Sequence, residues 1–130
     1  MDEVRWKYRF DNYSKAFLVL KKALTIDQPS EVEKAGIIQF YEMAFELAWK
    51  TLKDYLMEEG FDVKSPRASI KQAIQMEVID GGHEWMEALE GRNLTAHTYD
   101  EGMANRVYTS IKDVYFPLLD DLYQRFQDEL

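Results

Sequence analysis

An all-α antiparallel, up-down bundle of four to five helices is the fold that this 130-residue sequence predicts. Three observations lead there. Apolar residues recur at steps of three and four through most of the chain, which places them on single helix faces. Cap and turn signals separate these segments by short connections, which forces successive helices to run antiparallel. No segment with the two-residue period of a strand extends beyond a few residues.

The first helix includes Tyr8 to Leu24, with Trp6, Phe10, Tyr13, Phe17, Leu20 and Leu24 as its packing stripe. Pro29 interrupts that pattern, and Ser30 followed by Glu33 reads as a capping box. A second helix then runs from about Glu31 to about Glu59. Ile37, Phe40, Tyr41, Ala44, Leu47, Ala48, Thr51, Leu52 and Tyr55 form its stripe, widened by Phe45, Trp49 and Leu56. A face this broad should touch more than one neighbour. Gln39, Glu42, Glu46, Lys50 and Lys53 line the other side, with Glu46 and Lys50 spaced to pair. Gly60 suits a left-handed cap.

Ser65 and Pro66 open a short third helix through about Val78, and Gly81 and Gly82 end it. The fourth, from about His83 to Leu94, presents Trp85, Met86 and Leu89. The fifth starts near Thr98 and continues to the C-terminus, burying Val107, Ile111, Val114, Leu118, Leu122 and Phe126. Pro117 lies inside it and should kink it by deleting a backbone bond.

Composition narrows the function classes. Residues 1–130 make one domain, and 46% hydrophobic with 14% aromatic residues fits a packed core rather than disorder. No apolar run approaches the roughly 18 to 20 residues of a membrane span. The charged start "MDEVRWKYRFDNY" lacks the apolar region of a secretory signal, so a cytoplasmic location is expected. With no cysteine, disulfides and thiolate metal sites are excluded. A di-iron carboxylate bundle would need two Glu-x-x-His pairs, and the sequence has none, so no metal or other cofactor is expected. The formal net charge of −8 opposes non-specific binding to nucleic acid, DNA included, because phosphate is gripped by clustered Lys and Arg. RNA chemistry here would need a focused basic site.

The stretch "GRNLTAHTYDEG", Gly91 to Gly102, does not read as packing. Thr98 followed by Glu101 is a second capping box, which puts His97 just outside a helix N-terminus and Arg92 in the closing turn of the preceding helix. The helix N-terminus offers N–H groups and partial positive charge to a phosphate. Arg92 can fork onto two phosphate oxygens, His97 can move a proton near neutral pH, and Asn93 can orient either. The same spacing also describes an arginine capping a helix end beside a loop histidine, and spacing alone does not decide between them. Arg67 reads equally as a phosphate contact or as a cap of the third helix. Glu42 and Glu46 with Trp49 read as a solvated edge and a core tryptophan, or as one wall of a nucleotide pocket. His83 reads as a surface residue. The aromatics Trp6, Tyr8, Tyr13, Tyr41, Tyr108 and Tyr115 fit an oligomer interface or plain internal packing.

The blocks "FYEMAFELAWKTLKDYL", "SPRASIKQAI", "WMEALEGRNLTAHTYDE" and "YFPLLDDL", in this order, resemble the nucleotidyltransferase substrate-binding protein family. That family belongs to the HEPN (higher eukaryotes and prokaryotes nucleotide-binding) superfamily, close to the HepT toxins. The similarity spans about residues 5 to 126. It implies a HEPN bundle, usually a homodimer with R-x4-H pockets facing each other. Related toxins are metal-independent endoribonucleases through this motif, here Arg92 to His97. In the longer form R-x4-H-x-Y the tyrosine, here Tyr99, accepts AMP from a cognate minimal nucleotidyltransferase.

Three functions follow as expectations. The first is a HEPN-type toxin of a toxin–antitoxin pair, an endoribonuclease acting on RNA, with tRNA a candidate, silenced by AMP on Tyr99. The second is a non-catalytic subunit that binds a nucleotide or other substrate for the transferase. The third is a structural partner in which the motif is only a helix joint.

Overall fold

The computed structural model describes residues 2–95 and 100–130, the side chains of 2–4 and 93–95 excepted. Five helical rods make up the described residues. α1 (Asp2–Ala23) is followed by α2 (Glu31–Glu58), α3 (Pro66–Gln75) and α4 (Gly82–Thr95). The last rod consists of α5 (Glu101–Ser110), a π-helical turn (Ile111–Tyr115) and α6 (Phe116–Glu129). This is the all-α bundle that the periodicity predicts. Among the described residues no helix is long and apolar enough to cross a membrane.

The ends of α2 form as expected. Ser30 accepts from the Glu33 N–H at 3.1 Å, and Glu33 accepts from the Ser30 N–H at 2.8 Å, the reciprocal capping box. At the other end Gly60 takes φ +97°, and the Phe61 N–H reaches Leu56 O at 2.9 Å, a Schellman closure. α3 stops earlier than expected. Glu77, not a glycine, takes the left-handed position with φ +58°, and the Val78 N–H closes on Ala73 O at 2.9 Å. The helix therefore ends at Gln75, and Val78 and Ile79 turn into the core. A left-handed glutamate has no glycine signature for a sequence reading to find.

α2 is the hub, in contact with α1, α3, α4, α5 and α6. Tyr41, Ala44, Phe45, Ala48, Leu52 and Leu56 on it are fully buried. The α1 stripe packs against it, with Phe10, Tyr13, Phe17 and Leu20 inside. Of the aromatics that fitted an interface, Trp6, Tyr13, Tyr41 and Tyr115 are consumed by this core, and Tyr8 remains exposed. The four buried ones therefore carry no argument for an oligomer, and Tyr108 is half-buried.

The disturbance expected at Pro117 takes the form of a widened turn. The turn before it widens, so that the Phe116 N–H reaches back five residues to Ile111 O, while the backbone at Ser110, Ile111, Tyr115 and Phe116 stays right-handed helical. A widened turn takes up the bond that proline cannot make. It also moves the apolar face on by one residue. Tyr115 and Leu119 are buried where an even repeat places Val114 and Leu118, which are half-buried. The Tyr13 hydroxyl donates to Leu119 O at 2.6 Å, tying α1 to this shifted face.

Among the described residues, the buried charged side chain is Asp54. Asp54 on α2 is 3% exposed and accepts from Arg9 Nε of α1 at 3.0 Å. Arg9 itself, 34% exposed, keeps access to water. Arg9→Ala strands a buried carboxylate and should cost about 3 kcal/mol. Asp54→Asn leaves a neutral group that Arg9 can still approach and should cost about 1 kcal/mol. Urea denaturation of both variants checks the order, and equal losses would show that the pair is not the cause.

Candidate functional site

Arg92 stands in the last turn of α4, on the side that faces α2, and its side chain is 26% exposed. Its position is fixed by what α4 packs against. Gly91, the residue before it, is buried against the Tyr115 ring. A Cβ there would lie 2.9 Å from Tyr115 Cε2 and 3.3 Å from the hydroxyl. Only a hydrogen fits that space, so the glycine brings the α4 backbone down onto the π turn.

Tyr41 completes the seam from α2. Its ring stacks on Tyr115 with centroids 5.5 Å apart, and its hydroxyl donates to Ala88 O of α4 at 2.5 Å. Burial pushes the Tyr41 pKa well above the usual 10.0; neighbouring Tyr115 and Glu42 add to the rise, and the Arg92 charge opposes it. Burial likewise raises Tyr115, against a hydrogen bond from Ser110 and with a push from Glu87. Both rings stay neutral and serve as packing.

Glu46 meets Arg92 across the seam. Its Oε2 lies 3.3 Å from Arg92 Nη1 and accepts from Trp49 Nε1 at 3.0 Å. Its Oε1 is 3.6 Å from Lys50 Nζ, the i,i+4 pair that the spacing predicts. The reading of Glu46 as a solvated edge is therefore incomplete: one side of α2 carries an ordered carboxylate between an indole, a lysine and an arginine. The partner on α4 could not be read from α2 alone.

Arg67 is elsewhere. Its guanidinium lies 3.5 Å from Glu90 Oε1 and 3.8 Å from Met86 Sδ, on the face of α4 toward α3. Glu90 and Arg92 are two residues apart, roughly 200° round the helix. The structure therefore does not bring Arg67 to Arg92, and the α3 cap is Ser65, which accepts from the Ala68 N–H at 3.0 Å. His83 is at the surface, 4.0 Å from Glu87.

The start of α5 also differs from expectation. Its cap is Asp100, whose Oδ1 accepts from the Met103 N–H at 3.1 Å, and Glu101 follows in the first turn. A carboxylate already occupies the place that the sequence reading offered to a phosphate. One N–H of the first turn is thus taken by a carboxylate, whose charge complements the helix dipole. His97, Thr98 and Tyr99 lie outside the described residues. Asn93 is placed only as the residue after Arg92 in the last turn of α4.

Comparison with known proteins adds the following. Residues 8–128 match the protein-family model described as nucleotidyltransferase substrate binding protein like. A Haemophilus influenzae (strain ATCC 51907 / DSM 11121 / KW20 / Rd) protein named probable ribonuclease HepT is 32% identical over 111 residues, covering 77% of this chain and 76% of that protein. A crystal structure of a Thermus thermophilus protein superposes with a TM-score of 0.82 at 31% identity, covering 88% of this chain and 98% of that one. The structure of HI0074 from Haemophilus influenzae is described as revealing the fold of a substrate binding domain of a nucleotidyltransferase. It gives a TM-score of 0.81 at 25% identity, covering 91% of this chain and 98% of that one.

The Gly91 contact gives a paired test. Gly36 has open space around a would-be Cβ, so Gly36→Ala should stabilise α2 by up to about 1 kcal/mol. Gly91→Ala must displace the Tyr115 ring and should instead destabilise by about 1–2 kcal/mol. Thermal melts of the two variants should move in opposite directions.

Proposed function

The chain belongs to the nucleotidyltransferase substrate binding protein-like family, and from that membership we propose that it is a HEPN-type toxin paired with a minimal nucleotidyltransferase. In this reading it cleaves RNA without a metal, with tRNA as the first substrate to test. The observation that carries the proposal is Arg92 held at the α2–α4 seam, on a chain that shares 32% identity with a protein named as a probable ribonuclease.

The chemistry is an internal transfer. The 2′-oxygen attacks the phosphorus, the bond to the 5′-oxygen breaks, and the products are a 2′,3′-cyclic phosphate and a 5′-hydroxyl. His97 takes the 2′-hydroxyl proton, and a protonated histidine returns one to the leaving oxygen. Arg92 neutralises the phosphorane as charge builds on its oxygens, and Asn93 orients the reacting groups. A homodimer would supply both histidines to one phosphodiester. Silencing proceeds on Tyr99. Its phenolic oxygen forms a bond to the α-phosphorus of ATP, pyrophosphate leaves, and the phenolic proton passes to solvent. The added anion then lies beside the phosphate-binding arginine.

The second reading, a non-catalytic subunit that binds nucleotide for the transferase, is favoured by the description attached to HI0074. Expression of the chain without its transferase separates the two. The toxin reading predicts growth arrest, relieved by His97→Ala or Arg92→Ala in proteins that still fold. Activity should fall by about 100-fold or more, as for loss of a general acid–base group. Equal toxicity of the parent and His97→Ala, or no cleavage of any RNA by the purified parent, would point to the binding subunit.

A further inference from the structure

The carboxylate facing Arg92 is fixed in an unusual way for a half-exposed ion pair. A surface pair between two long side chains returns little, because both must give up their freedom to hold one geometry. Here one oxygen of Glu46 is shared. Oε2 accepts from Trp49 Nε1 at 3.0 Å and faces Arg92 Nη1 at 3.3 Å, while Oε1 lies 3.6 Å from Lys50. Trp49 is only 8% exposed and belongs to the core, so its indole cannot swing away. The core thus holds the indole, the indole holds the carboxylate by a hydrogen bond, and the carboxylate faces the guanidinium as an ion pair at 3.3 Å.

We propose that Glu46 is the positioning residue for Arg92, and that Trp49 acts through it to hold the guanidinium ready for an RNA phosphate. The inference rests on the ribonuclease reading of the same site and adds two residues that the R-x4-H motif does not contain. A simple counter-ion would behave in the opposite way. Neutralising a negative charge beside an anion site removes repulsion and tightens phosphate binding. Losing a positioning group leaves the ligand to order a long, flexible arginine by itself, which weakens binding. The sign of the effect separates the two roles.

The probe is a short labelled 2′-O-methyl oligoribonucleotide, which keeps its phosphates but cannot be cleaved by its own 2′-oxygen. Binding is followed by fluorescence anisotropy for the parent chain, Glu46→Gln, Trp49→Phe, Arg92→Ala and the Glu46→Gln/Arg92→Ala double variant. Glu46→Gln should weaken binding by about five- to tenfold, despite the lost negative charge. Trp49→Phe, which keeps the bulk and the carboxylate but removes the indole N–H, should weaken it in the same direction by less. In the Arg92→Ala background Glu46→Gln should add less than about twofold, because the group it positions is gone. A general loss of structure would add in full and would not show that coupling. If Glu46→Gln does not fold, Trp49→Phe carries the test. Arg92→Ala weakening the probe while Glu46→Gln or a folded Trp49→Phe leaves it unchanged or tighter overturns the positioning role and leaves the ribonuclease reading standing. No binding by the parent, or no effect of Arg92→Ala, overturns both.

Discussion

The closeness of Gly91 to the Tyr115 ring is the constraint on which the candidate site depends. A Cβ at residue 91 would lie 2.9 Å from Tyr115 Cε2, so either that ring or the α4 backbone that carries Arg92 would have to shift. The contact itself needs two other features. The widened turn before Pro117 brings residue 115 rather than 114 to the inside. The Tyr41 ring then backs Tyr115 while its hydroxyl ties α2 to α4 through Ala88. Each feature is ordinary; together they leave the end of α4 little room to move.

The central position of α2 explains why fold and site share residues. The helix buries one face from Ile37 to Leu56 and touches every other rod, so the polar groups on its outer side stand on a packed base. Glu46 is one of these. An acidic chain with net charge −8 would repel RNA over most of its surface, and a fixed cation among fixed neighbours is the kind of local exception such a chain requires. Asp100 at the start of α5 adds a carboxylate where the sequence reading offered a helix terminus to a phosphate.

Much of this was legible in the sequence. Periodicity placed all five rods, the Ser30–Glu33 box and Gly60 marked the ends of α2, and the Glu46–Lys50 spacing formed as an ion pair. What failed did so for stated physical reasons. A proline signals a disturbed helix but not a shift of register, so Val114 and Leu118 were placed on the face that Tyr115 and Leu119 take. Thr98 and Asp100 are both good caps by type, and the observed hydrogen bond belongs to Asp100. Glu77 ended α3 without a glycine, and Arg67 found Glu90, a partner given only by the docking of α3 on α4. Glu46 facing Arg92 joins residues far apart in the chain, which no local pattern contains.

The central claim is that Arg92, fixed between α2 and α4, receives the phosphate of an RNA backbone. A crystal structure of the chain with a 2′-deoxy dinucleotide, which keeps the phosphodiester but lacks the attacking oxygen, addresses it most directly. The account predicts the bridging phosphate within hydrogen-bond distance of the Arg92 guanidinium, with Glu46 still on the opposite side and the Gly91–Tyr115 contact intact. A dinucleotide bound elsewhere on the bundle, with Arg92 and Glu46 unchanged and no phosphate near them, would contradict it.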